Sequence, residues 1–276
     1  MEVRATASQG DRSTIGPDLD RIEAAVASGT TDLRSLGFWK LVQRVKLDRA
    51  LVDEHADQIG RIDTAAFRAG VRLRAPVWLG NVLLVAGTIV GALAVGAAFV
   101  WQASLWKGLA LVAAGLIWSV SLHSPTHWLV GYMIGIRWTD YFLGGPPPPR
   151  PGLKSDYATY LRADADSRAW MHASGALATK LAPFLALVWW PASGAPWWAA
   201  AALVALGGVQ IVTDVVFSTR SSDWKKFRRE KAVARRRRAA LAPDASPPEQ
   251  ARVTGGSQIP SSGPPALPAE PVEPRA

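Results

Sequence analysis

Two histidines four residues apart, His123 and His127 in the run HSPTH, are where this chain of 276 residues has the means to hold a metal ion. On a helix, positions i and i+4 share a face about one turn apart, so two imidazoles there reach a single tetrahedral zinc ion. The competing use is structural: each ring hydrogen-bonds a backbone carbonyl or a serine on a neighbouring helix. A zinc site needs a third protein ligand, and a catalytic one also keeps an open position. Asp214 is the expected third ligand, as the only acid within the apolar spans, and His172 is its rival. Lys180 is the remaining ionisable group there, placed to pair with Asp214 or to neutralise a substrate. The fourth histidine, His55 in the stretch Asp53-Glu54-His55-Ala56-Asp57, reads as a solvated helix face. The chain has no cysteine, which excludes disulfide frameworks, thiolate zinc sites, iron–sulfur clusters and cysteine nucleophiles.

The elements that must position these groups are apolar. Residues 75–106, 108–136 and 181–213 run for 32, 29 and 33 positions without Lys, Arg, Asp or Glu. About 20 apolar residues cross a bilayer, so the expected fold class is all-α: a polytopic membrane protein with about four transmembrane helices. The spans are expected near 77–100, 108–136, 172–190 and 197–217, within a transmembrane domain of residues 76–218. Ahead of them, residues 1–75 are polar and read as a small helical cytoplasmic region, disordered over 1–17. Phe38, Leu41, Val42 and Val45, then Leu47, Leu51, His55 and Ile59, recur there at helical spacing. Phe38 and Trp39 beside cations would let one helix lie on the membrane surface, or the helix packs on its neighbours. Between the second and third spans, Pro146–Pro149 and Pro151 favour extended chain.

Charge sets the expected orientation. The net charge is +9, and the segment from Ser218 onward carries 12 basic against six acidic residues. Its basic block, residues 219–240, follows the last span directly, which reads as a positive-inside anchor touching anionic lipid rather than as a specific nucleic-acid site. Arg68, Arg72 and Arg74 stand before the first span, so both termini are expected in the cytoplasm of a multi-pass protein of the cell membrane. The Trp189–Trp190 and Trp197–Trp198 pairs fit an aromatic belt at the outer interface. Residues 241–276, rich in Pro, Ala, Ser and Gly, are expected to be a disordered tail.

Three segments in order resemble the site-2 protease family of intramembrane zinc metalloproteases. HSPTHWLVGYMIGIRW (123–138) is similar to the family's first motif, MHASGALATKLAPF (171–184) to its small-residue segment, and GVQIVTDVVFS (208–218) stands at the place of its third motif. The resemblance covers residues 108–218. It implies that His123, His127 and Asp214 ligate zinc and that the substrate is a transmembrane protein segment.

Two departures qualify that implication. Ser124 occupies the position of the family's general-base Glu, and a hydroxyl is no base near neutral pH without an activating partner. Acid–base catalysis typically contributes about 10²–10⁴-fold, so the chain is expected to be a slow peptidase or a pseudoprotease unless another carboxylate, such as Asp140, substitutes. Pro125 lies between the histidines, and Ser124-Pro125 suits a helix start that would leave His123 outside the helix. The alternative function is a non-catalytic membrane adaptor whose cytoplasmic helices and basic tail recruit partners. A haem held by His127 and His172 is a third reading.

Overall fold

The computed structural model describes residues 14–144, 150–216 and 222–241. Helices α1 (Ile15–Ala27), α2 (Phe38–Val45) and α3 (Arg49–Gly70) form a bundle at the amino end. Their apolar residues recur every three or four positions, so each helix has one stripe to bury. Ile15, Leu19 and Ile22 of α1, Phe38 and Val42 of α2, and Val52 and Ile59 of α3 meet in one core. Asp48 caps α3 by accepting from the Ala50 N–H. Phe38 is buried while Trp39 is half-exposed against Tyr157, so α2 packs on its neighbours. His55 faces this core and is buried, which corrects the expectation of a solvated face. Residues 14–17 are ordered at the start of α1, which corrects the expected disorder over that part of 1–17; the rest of that stretch lies outside the described residues.

The all-α expectation is corrected by a three-stranded antiparallel sheet of β1 (Leu73–Pro76), β2 (Trp138–Gly144) and β3 (Arg150–Ser155), in that spatial order. Of the prolines expected to hold extended chain after the second span, Pro151 lies in β3. The sheet's β-forming core is Tyr141, Phe142 and Leu143 on the central strand. Pro76 and Pro151 sit on the two edge strands, where a missing N–H is tolerated. The Pro146–Pro149 run lies outside the described residues.

Four helices are long and apolar enough to cross a membrane. They are α4 (Val77–Val100), α5 (Ser104–Ser121), α8 (Ala165–Leu187, extended by the short α9 at Trp190–Ser193) and α10 (Trp197–Val216). α4 matches the first expected span. The single span expected over 108–136 is instead α5 followed by a separate helix α6 (His123–Met133), joined through Leu122. The third begins at Ala165, seven residues earlier than expected, after a short α7 (Tyr157–Arg162) that packs on α3 and on the amino-terminal core through Leu161. Small residues let α5, α8 and α10 approach closely: Ala114, Ala182, Ala186 and Ala199 pack with Leu111 and Leu203. Trp118 on α5 donates to the Thr88 carbonyl on α4 at 2.9 Å.

A final helix, α11 (Asp223–Leu241), packs along α8. It carries the basic block, yet one of its side chains is a buried acid. Glu230 accepts from Lys46 (2.7 Å), Arg168 (2.8 Å) and Tyr160 (2.9 Å), tying α11 to the amino-terminal bundle, α8 and α7 together. Residues 242–276, the expected disordered tail, lie outside the described residues.

Candidate metal centre

The helix that carries the histidine pair begins at His123, so both histidines lie on it and keep their one-turn spacing. Leu122 remains in the right-handed helical region (φ −88°, ψ −21°), making the join a bend between two helices. Pro125 falls in the first turn of α6, where a backbone N–H has no intrahelical partner to lose. Thr126 closes that turn with both its N–H and its hydroxyl on the Leu122 carbonyl. The two rings stand 4.8 Å apart, nearly perpendicular.

Both imidazoles are oriented by α8. His127 Nδ1 lies 2.7 Å from the Met171 carbonyl, and His123 Nδ1 lies 3.1 Å from the Gly175 carbonyl and 2.9 Å from Thr179 Oγ1. A carbonyl only accepts, so His127 Nδ1 carries the proton, and His123 Nδ1 carries it when it donates to the Gly175 carbonyl rather than accepting from the Thr179 hydroxyl. In the neutral rings the lone pairs are then on Nε2, the usual arrangement of a metal-binding histidine whose other nitrogen is held by a carbonyl. Gly175 makes room for this: a Cβ there would stand 2.3 Å from His127 Nε2.

The carboxylate that meets the two Nε2 atoms is Asp223, at the start of α11. Its Oδ2 lies 3.2 Å from His127 Nε2 and 3.5 Å from His123 Nε2, while Oδ1 takes a 3.1 Å contact from Lys226 Nζ. Burial pushes this carboxyl up, but with no metal bound a hydrogen bond from a protonated His127 and the Lys226 charge outweigh it and hold Asp223 well below the usual range. His123, His127 and Asp223 form a group whose ligand atoms all lie within 4.8 Å of one another. Lone pairs on two imidazoles and a carboxylate repel unless a cation lies between them. The donor set suits zinc: bonds of about 2.0–2.2 Å in a tetrahedron separate two ligand atoms by about 3.3 Å, close to both nitrogen–oxygen distances. Protons on the rings are the other cation that would satisfy the geometry.

The carboxylate that joins the two rings is thus not the one expected from the sequence. Asp214 forms an ion pair with Lys180 instead of meeting the rings. His172 turns its Nε2 to the Tyr160 hydroxyl at 3.0 Å, which removes the rival as well. Ser124 is half-buried on α6, outside the group, and Asp140 pairs with Lys154 and Pro76 in the sheet register. His123 and Asp223 also line a cleft of about 220 Å³, together with Ala176, Thr179, Lys180, Asp214 and Ser222. Asp223 escaped sequence reasoning because it sits in SSDWKK and reads as part of the basic segment. The one signal pointing to it is a serine-aspartate helix start beside the membrane.

No family model, curated protein or solved structure matches this chain.

Proposed function

We propose that this chain is a membrane-embedded zinc-binding protein of site-2 protease type, acting on or holding a transmembrane substrate segment. The observation that carries the reading is the convergence of His123, His127 and Asp223, with both Nδ1 atoms bound to carbonyls of α8. Three protein ligands beside an open cleft match the donor count of catalytic rather than structural zinc sites. A bound zinc ion supplies Lewis acidity, which polarises a carbonyl and lowers the pKa of water. The residues around it fix the rings and present Lys180 and Asp214 to the same space. Ser124 does not line that cleft, so no base stands in for the family's Glu at its own position. Peptide hydrolysis is accordingly expected to be slow, and holding a substrate helix is the activity that the chain's own residues favour.

A second reading, a membrane adaptor, draws on the surface of α11, where Arg228, Arg229, Arg235, Arg236 and Arg238 are exposed. Such a face suits anionic lipid or an acidic partner in the cytoplasm. Metal content separates the two. The purified full chain is expected to hold about one zinc ion, a stoichiometry set by one three-ligand site, and to lose it in His127→Ala. A cleavage assay with transmembrane substrates in vesicles then distinguishes peptidase from pseudoprotease. A wild-type protein that purifies folded and takes up no zinc ends the metalloprotein reading and leaves the adaptor.

A further inference from the structure

Lys180 is an ionisable group deep in an apolar helix, and its surroundings are those of a binding group rather than of a side chain reaching for water. Its Nζ donates to the Ala176 carbonyl at 3.1 Å and pairs with Asp214 across the α8–α10 contact. The Trp224 ring covers it at 6.0 Å. An ammonium has three N–H donors, and two are directed by these contacts. Among the described residues no further acceptor takes the third, and Nζ lines the cleft that also holds His123 and Asp223.

Charge points the same way. Asp223, Asp214, Lys180 and Lys226 sum to zero, so a divalent ion on the imidazoles leaves the cleft with an excess of positive charge. That excess favours a ligand bearing an oxygen with negative or partial negative charge. Fixed donors aimed into such a space stabilise charge on an acyl oxygen without reorganising.

We propose that Lys180 is the acyl-oxygen anchor of this cleft: it binds the carbonyl or carboxylate oxygen of a ligand seated beside the metal, and Asp214 is its positioning residue. The proposal rests on the metal-binding reading and adds to it the chemistry of the ligand and the residue that grips it.

The test uses the full chain in detergent, loaded with Co²⁺ so that the visible spectrum reports the site, and titrated with acetohydroxamate. In the wild type the probe shifts the spectrum. In Lys180→Met its dissociation constant rises by about tenfold or more, the weight of a hydrogen bond to a charged group. Lys180→Arg, which keeps the charge, stays within about threefold by the same measure. Asp214→Asn weakens the probe by a smaller factor than Lys180→Met while the cobalt spectrum without probe is unchanged. That probe-free spectrum also checks that each variant has kept its site. If Lys180→Met loses it, the titration of Asp214→Asn decides. Equal probe affinity in the wild type and the variants overturns the proposal, as does a wild-type spectrum that the probe does not move. A wild type that takes up no cobalt at all overturns the metal-binding reading itself, which is a separate outcome.

Discussion

At the scale of single residues, the informative contrast is between two aspartates nine positions apart. Asp214 and Asp223 both border the cleft, but only Asp223 reaches the imidazoles. Asp223→Asn is therefore expected to weaken zinc binding by about 10–100-fold or more, the range seen when even an outer partner of a metal site is lost. Asp214→Asn should leave the zinc stoichiometry at the wild-type value; metal analysis after dialysis against a weak chelator reads both. A reversed result would place the metal on Asp214. Gly175→Ala tests how the rings are held. Its methyl group would lie 2.3 Å from His127 Nε2, so the ring must leave its place or α8 must shift. The expected outcome is reduced zinc affinity in a protein that still folds, again read by metal analysis. The histidine pair was legible in the sequence because its spacing and its charge-free surroundings are both local signals. The carboxylate that joins them was not. The apolar runs point to Asp214, whereas Asp223 comes from a helix that folds back on them, and nothing local in SSDWKK records that return.

At the scale of elements, the centre depends on α11 staying docked, because that helix brings Asp223. Docking rests on Glu230, which is buried and shared between Lys46 and Arg168. Burial raises this carboxyl, but the two cations prevail and hold it at about 2, against an ordinary 4.5. Lys46 has the opposite balance: burial and the repelling Arg168 pull its ammonium down to about 8 despite Glu230. Because the folded-state value of Glu230 is depressed, its stabilising effect is fully present above pH 4.5 and is lost as the pH falls toward 2. Amide exchange along α11 should accordingly accelerate as the pH drops through that window, after correction for the intrinsic rate, while α4 changes less. Glu230→Gln leaves two buried cations without an anion, a change that costs about 3–5 kcal/mol where such pairs are broken. It should loosen α11 and lower zinc affinity together, since one helix carries both contacts. Unchanged exchange in this variant would show that the α8–α11 packing alone holds the helix. The long helices were readable from their apolar runs, which need no partner to be recognised. The sheet was not, because its strands are short, two of them contain proline, and β1 is separated from β2 by three helices. The break at Leu122 was partly legible, because Ser124-Pro125 marks a helix start; the helix begins one residue earlier, at His123, and so keeps both histidines.

At the scale of the whole molecule, the two short connections α4–α5 and α8–α10 are flanked by aromatic residues at one end of the four long apolar helices, and the charged elements lie at the other. Trp101 stacks edge-on against Trp106 in the α4–α5 turn, and Phe99 meets Trp189 beside the α8–α10 turn. Lys107, near the start of α5, donates to the Ser193 carbonyl at the end of α9 at 3.1 Å, which ties the two connections together. The amino-terminal bundle, the sheet and α11 lie toward the opposite end, with Arg68, Arg72 and Arg74 ahead of α4. Cations beside spans are retained on the cytoplasmic side, so the metal centre is expected to open toward the cytoplasm, where α11 can meet anionic lipid. Two substitutions test this, because the chain has no cysteine to interfere. Gln102 in the aromatic turn and Arg68 on α3 are both exposed. Gln102→Cys should react with a membrane-impermeant maleimide in intact cells. Arg68→Cys should react only once the membrane is opened. The reverse pattern would turn the molecule over, placing the basic helix and the cleft on the outer face and removing the anionic cytoplasmic leaflet as the partner of α11. Labelling of both in intact cells would mean that these helices do not cross the membrane, whatever their length and composition allow.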